Sequence, residues 1–296
     1  MELIFDPLEI RKLYKPKEKS SNEDNGNLVI IGGSTLFHGA PILSLKVTSR
    51  IVDMVYFASP ETSLRNVVDK VKASLSSFIW IPWEDVGAYI QKSDAVLIGP
   101  GFMRFKSEAQ NSNLENRKLD GEGLRSRKIT ERLLKKYPNK KWVIDAGSLQ
   151  VMDAEWIPKG TILTPNIKEF EMLFKLQTQN LKLKTINLKL KLVREKAKKH
   201  DCTIVLKGPE TIVCSPNNCV IVKGGNAGMT KGGTGDVLAG LTVALYAKNE
   251  AFLAASCASF IEKRAAEQLF EKVGINYNAD DLAQEIPETI FKLTTN

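Results

Sequence analysis

The residues best suited to chemistry lie in one stretch, Gly224 to Lys248, GGNAGMTKGGTGDVLAGLTVALYAK. Gly224, Gly225, Gly228, Gly232, Gly233 and Gly235 lead into an apolar helical run beginning near Val237. Glycine reaches positive φ and lets backbone approach a ligand closely. The first N–H groups of the following helix lack intrahelical partners and carry partial positive charge. That combination describes a phosphate site. Asp236 stands where the anion would sit. A carboxylate there repels phosphate unless it serves the reaction, and taking the proton of an attacking hydroxyl is such a service. The plain alternative is an acid that charges the helix start, which leaves the glycines without a role. Two common phosphate motifs do not fit. Lys231 is followed by Gly232 rather than Ser or Thr after a Gly-Lys pair, so the Walker spacing fails. Counted from Gly233 and Gly235, the third glycine of a dinucleotide fingerprint falls on Leu238.

Three further candidates accompany the loop. Asn166 and Glu169 are three apart and share one face of a helix start. They could hold a hydrated Mg²⁺, which needs few protein ligands, or form a cap with an acid at N3. Lys207, at a strand end before Gly208, could reach a phosphate or brace an adenine, or be a surface hairpin lysine. Asp145 could orient water or metal, or cap the turn at Gly147-Ser148.

These groups need a frame. Short apolar runs at Leu28–Ile31, Met54–Ala58, Phe78–Ile81, Ala95–Ile98, Trp142–Ile144 and Thr161–Leu163 predict strands. Helical segments are expected from Gly39 to about Val52, over Pro60–Ser76, Trp83–Gln91 and Ser126–Tyr137, with polar loop at Asn111–Arg117. Such alternation signals a mostly parallel sheet covered on both faces. Ligands then bind beyond the carboxyl ends of the strands. The strand ends GGS, GPG, DAG and TPN should therefore converge on one crevice. Thr203–Lys207, Thr211–Ser215 and Cys219–Lys223 read as a small β-meander at the sheet edge, and Val237–Ala247 and Ala251–Phe270 as apolar helices. Residues 1–26 read as a short helix and polar loop, and 27–296 as a single α/β domain.

Composition narrows the class. Of 296 residues, 43% are hydrophobic and 26% charged, with net charge +8. No apolar run approaches the ~20 residues of a membrane span. His38 and His200 are the only histidines, which excludes a His-rich metal site and leaves a Ser-His-Asp triad unexpected. Cys202, Cys214, Cys219 and Cys257 show no CxxC pair and read as reduced thiols of a cytoplasmic protein. Lysines crowd Gln177–His200, but Leu188, Leu192 and Val193 fall among them at helical spacing. A solvated amphipathic helix is expected there, and a nucleic-acid partner is not.

The segments VIIGGS, HGAP, LIGPGF, VIDAGSL, ILTPNIKEFEML, TIVLKGPETIV and GGTGDVLAG occur in order. In this the chain resembles the ADP/ATP-dependent NAD(P)H-hydrate dehydratase family of the ribokinase-like superfamily, over roughly residues 27–290. The resemblance implies a ribokinase-like fold and repair of hydrated NADH and NADPH with ADP or ATP as phosphoryl donor. It implies that Ala40, Gly101, Asn166 and Asp236 line the hydrated nicotinamide nucleotide, with Asp236 catalytic. Lys207, Gly208, Pro209, Glu210 and Thr211, with Gly232, Gly233, Thr234 and Gly235, would surround the adenine nucleotide. Asn166 and Glu169 would support Mg²⁺, directly or through water. An epimerase domain, often fused in the family, is not expected in residues 1–26. Three departures stand out. Asp145-Ala146-Gly147 replaces the usual Asp-Ala-Asp, Asn166 stands where many bacterial members have His, and SSNEDNGN replaces the usual His-Lys-Gly approach to the first strand. A vitamin-precursor kinase of the same fold and a non-catalytic nucleotide- or RNA-binding protein are the alternatives. A homo-oligomer is compatible with all three.

Overall fold

The computed structural model describes residues 4–105, 121–176 and 185–295. Nine strands form one sheet in the order β3-β2-β1-β4-β5-β6-β7-β8-β9. They are β1 (Asn27–Ile31), β2 (Met54–Ala58), β3 (Ile79–Trp80), β4 (Ala95–Ile98), β5 (Lys141–Ile144), β6 (Ile162–Leu163), β7 (Thr203–Leu206), β8 (Thr211–Cys214) and β9 (Cys219–Val222). The first seven pair in parallel, and β8 and β9 complete an antiparallel meander at the edge.

Period-two alternation divides each strand between two cores. Leu28 and Ile30 of β1 point into one, and Val29 and Ile31 into the other. The first core receives α1 (Gly39–Thr48), α8 (Thr234–Lys248), α9 (Ala251–Val273) and α10 (Ala279–Thr295). The second receives α3 (Val86–Lys92), α4 (Gly121–Lys136), α6 (Ile167–Leu173) and α7 (Ile186–His200). Between them, α2 (Leu64–Val71) follows β2 and α5 (Ala146–Val151) follows β5. β1 and β4 are neighbours, with Ile31 opposite Ile98, while β2 flanks β1 on its other side. The chain order reverses there, which is where doubly wound sheets open a crevice.

Several expectations shift in detail. The N-terminal helix is a 3-10 turn, Pro7–Lys12, capped by Asp6. The helix expected over Pro60–Ser76 is confined to Leu64–Val71. The lysine-rich helix runs from Ile186 to His200 behind the cap Thr185, with only Val193 and Ala197 buried. Its expected first part, 177–184, and the loop Asn111–Arg117 lie outside the described residues. α10 was not foreseen. The expectation of four reduced thiols fails for one pair, because Cys214 and Cys219 form a disulfide and Cys202 and Cys257 remain free and buried. The β8–β9 register sets Cys214 directly opposite Cys219, so the hairpin itself brings the thiols together. Among the described residues, no helix is long and apolar enough to cross a membrane.

Candidate active site

The strand ends meet as a chain of contacts. The N–H of Gly33, after β1, donates to Pro100 O at 2.8 Å. Gly101 lies against the Phe37 carbonyl and the Cα of Gly33. The N–H of Asp145 donates to Ile98 O at 3.0 Å, that of Thr164 to Ile144 O at 3.2 Å, and that of Lys207 to Pro165 O at 2.9 Å. Each strand end thus fixes the next, from β1 across to β7.

α8 enters this row through Gly233, whose φ of 97° is reached easily only by glycine. The left-handed residue aims the first turn of α8 at the strand ends. Asp236 is the acidic residue of that turn, which Gly233 opens as N-cap. Ser44 Oγ donates to the Asp236 carbonyl at 2.8 Å. Ala40 lies four residues before Ser44 on α1, so the two share a helix face, and the Ala40 side of the crevice borders Asp236.

Lys207 is the hub. Its Nζ lies 2.9 Å from Asp145 Oδ1 and 3.9 Å from Glu169 Oε2. Thr164 Oγ1 donates to the same Asp145 oxygen at 2.8 Å. Burial alone would lower the Lys207 pKa, but Asp145, Glu169 and Asp236 raise it, and the net shift is upward. Lys207 therefore stays charged. The opposite holds for Asp236, whose carboxyl is pushed up to about 7 by burial and by Asp145, against the pull of Lys207. Glu169 is also raised, chiefly by burial, with Lys207 opposing. A carboxyl near 7 beside a helix N-terminus suits a general base at neutral pH.

On the far side of Gly235 lies a cavity of about 600 Å³. Lys207, Gly208, Pro209, Thr211, Thr234 and Gly235 line it, as do Met229 and Leu238. Glu210 does not; it turns outward, 3.7 Å from Lys223. Gly232 and Gly233 also lie outside the lining, Gly232 being exposed and Gly233 packing near Leu43 and Ala279. The glycine loop is pinned by residues that the sequence did not single out. Glu267 Oε1 accepts from the N–H of Gly225 at 2.9 Å, Asn226 Nδ2 donates to Ala266 O at 2.8 Å, and Tyr277 OH donates to Asn226 Oδ1 at 2.8 Å. The missed signal is Glu262-Lys263, the charged residues of α9 that are buried.

Asn166 and Glu169 form a complete capping box at the start of α6. Asn166 Oδ1 accepts from the N–H of Glu169 at 3.0 Å, and Glu169 Oε2 from the N–H of Asn166 at 2.8 Å. Gln150 Nε2 donates to the remaining oxygen of Glu169 at 2.9 Å. Among the described residues, no three His, Cys, Asp or Glu side chains cluster to hold a metal. With its oxygens engaged and Lys207 nearby, Glu169 fits contact through water with a hydrated ion rather than direct ligation.

A mostly parallel sheet with a glycine loop opening a helix at its strand ends is a ribokinase-like fold. A ribokinase-like superfamily protein from Enterococcus faecalis aligns with TM-score 0.79 at 18% identity, covering 100% of this chain and 97% of its own. The chain belongs to the NAD(P)H-hydrate dehydratase family, whose model matches residues 28–288. A bifunctional NAD(P)H-hydrate repair enzyme of Methanocaldococcus jannaschii is 35% identical over 95% of this chain, which spans 51% of that relative. The ADP-dependent (S)-NAD(P)H-hydrate dehydratase of Nitrosopumilus maritimus is 31% identical over 93% of this chain and 92% of its own length. The ADP/ATP-dependent NAD(P)H-hydrate dehydratase of Bacillus subtilis, co-crystallized with ATP/Mg²⁺, aligns with TM-score 0.76 at 20% identity, covering 99% of each chain.

Proposed function

We propose that this chain dehydrates hydrated NADH and NADPH, using ADP or ATP as phosphoryl donor. The observation that carries the reading is the position of Asp236. Gly235 separates it from the cavity, Ser44 ties it to the α1 face that bears Ala40, and its pKa of about 7 leaves it able to accept a proton. The nucleotide then occupies the cavity, with its phosphates against the first turn of α8. The hydrated nicotinamide lies in the crevice near Ala40 and Gly101, with Asn166 at its rim.

Asp236 takes the proton of the substrate hydroxyl as that oxygen attacks the terminal phosphorus. The new O–P bond forms as the bond to the rest of the nucleotide breaks. The N–H groups at the start of α8 and the ammonium of Lys207 stabilise the charge on the transferring phosphoryl. Glu169 would hold a hydrated Mg²⁺ through water, and that ion would supply further positive charge there. The ring nitrogen's lone pair then expels phosphate from the ring carbon. Loss of a proton from the neighbouring carbon restores the dihydronicotinamide.

The test is incubation of the chain with hydrated NADH, Mg²⁺ and either ADP or ATP. Recovery of reduced-nicotinamide absorbance, with one phosphate released per turnover, is the expected result. A stable phosphorylated alcohol as product, or no turnover with either nucleotide, would exclude the reading.

A further inference from the structure

α9 places an acid and a base side by side in its buried face, Glu262 at 5% exposure and Lys263 at 3%. Their surroundings differ. Lys263 Nζ donates to Gly208 O at 3.2 Å, Pro209 O at 2.8 Å and Gly224 O at 3.0 Å. All three ammonium protons are thereby used, and the two loops that wall the cavity are tied together. Glu262 has no hydrogen-bond or ion-pair partner among the described residues. Glu262 instead lines the cavity, whose wall Lys207, Thr234, Gly235 and Leu238 share. A largely buried carboxyl whose open side is the cavity is placed to meet what binds there.

Its place along the cavity says what it would meet. Leu238 is one turn beyond Gly235 on α8, and Lys207 sits at the mouth of that helix. Lys207 approaches Gly235 and its charge acts on the Glu262 carboxyl, which sets Glu262 toward the phosphate end of a nucleotide whose phosphates rest on the first turn of α8. We propose that Glu262 binds the nucleotide directly, its carboxyl donating a hydrogen bond to an oxygen of the phosphate chain. The inference rests on the nucleotide reading of the cavity given above.

An acid can donate only while protonated, and a carboxylate in the same place repels phosphate. Burial lifts the Glu262 carboxyl to about 8, against Lys263 and Lys207 and with help from Asp145. Lys263 on its own helix and Lys207 from the end of β7 are the charged groups that share the cavity wall with it. At neutral pH the group is therefore a donor. A hydrogen bond from a neutral acid to a phosphate oxygen is charge-assisted and among the stronger kinds.

The consequence is a pH step in nucleotide affinity that belongs to one side chain. Titration of ADP into the full chain at fixed Mg²⁺, from pH 6.5 to 9.5, reads it for wild type, Glu262→Gln and Glu262→Leu. For wild type the Kd should rise above about pH 8, by up to about tenfold per pH unit for a single linked proton. Glu262→Gln keeps a donor that does not ionise, so its curve should lose that step. Glu262→Leu, with similar bulk and no donor, should bind ADP more weakly at pH 7, by about tenfold for one lost hydrogen bond to a charged group. Asp236, Lys207 and the nucleotide's own phosphates titrate alike in all three proteins, so the differences isolate Glu262. Identical pH curves for wild type and Glu262→Gln would overturn the proposal while leaving the nucleotide reading intact. Absence of ADP binding by wild type at every pH would overturn both.

Discussion

Lys207 Nζ lies 2.9 Å from Asp145 Oδ1, and this pair sets the field in which Asp236 ionises. Asp145 raises the Asp236 pKa by like-charge repulsion, and Lys207 lowers it by attraction. The rate should climb with pH through about 7, as Asp236 loses its proton and becomes a base. Lys207→Met removes the cation and should move that midpoint to higher pH. Asp145→Asn removes the like charge and should move it to lower pH. The profile of kcat/KM against pH checks both, and equal midpoints in all three proteins would disconnect the pair from the base. Lys207→Met also leaves Asp145 and Glu169 without their cation, and breaking a buried pair in this way costs about 3 kcal/mol or more.

Asp236→Asn separates base from cap. On the proposed reading the first turn of α8 and Lys207 would bind phosphate without the carboxylate, so ADP affinity should survive or tighten slightly. Turnover should fall by about 10²–10⁴, the usual contribution of a general base. Asn serves a helix start about as well as Asp, so the melting temperature should barely move. Near-normal turnover would remove Asp236 from the mechanism.

The parts of this arrangement that a sequence displays are local ones. Short continuous apolar runs ending in Gly-Gly, Gly-Pro-Gly or Thr-Pro-Asn mark strands that stop at a crevice, and Met54–Ala58 and Ala95–Ile98 have the expected bounds. The glycine loop marks α8 for the same reason. What fails to show is adjacency between distant segments. Lys207 and Asp145 are 62 residues apart, and nothing near either one announces the other. Lys263 reaches Gly208 across 55 residues, so its role as a staple is likewise silent. α10 has Asp280 and Asp281 in its first turn and Pro287 inside it, which mask the helical spacing of the buried Leu282, Ala283 and Ile286. The disulfide needs the hairpin register, which cysteine spacing alone does not supply.

Glu169 caps α6, and one substitution can separate that from its proposed role toward Mg²⁺. As the N3 member of the capping box it holds the N–H of Asn166 at 2.8 Å. As an anion near Lys207 it can help hold a hydrated Mg²⁺ through water. Gln retains the capping geometry and loses the charge. Glu169→Gln should therefore keep the melting temperature and raise the Mg²⁺ concentration needed for half-maximal turnover. Asn166→Ala should cost about 1 kcal/mol of stability as a lost N-cap. An unchanged Mg²⁺ dependence in Glu169→Gln would leave Glu169 a purely structural residue.

Gly147 stands where the family resemblance leads one to expect an acid, and the neighbouring backbone explains the glycine. A Cβ added at Gly147 would lie 2.1 Å from Phe102 O and 2.6 Å from its carbonyl carbon. Phe102 follows Gly101 in the loop after β4 and is itself buried at 4% exposure. That loop fills the volume a side chain at 147 would need, so no larger residue enters without displacing it. Gly147→Ala should therefore destabilise the protein by about 1–3 kcal/mol, as overpacking of a filled core does. The displaced backbone carries Gly101, which lies against Gly33 and Phe37 on the nicotinamide side of the crevice. The KM for hydrated NADH should rise accordingly. The cavity beyond Gly235 has none of these residues in its lining, so ADP affinity should stay near wild type. Measuring both affinities and the melting temperature on one variant decides the matter. A Gly147→Ala protein with wild-type stability would show that the loop yields freely and that glycine is not required there.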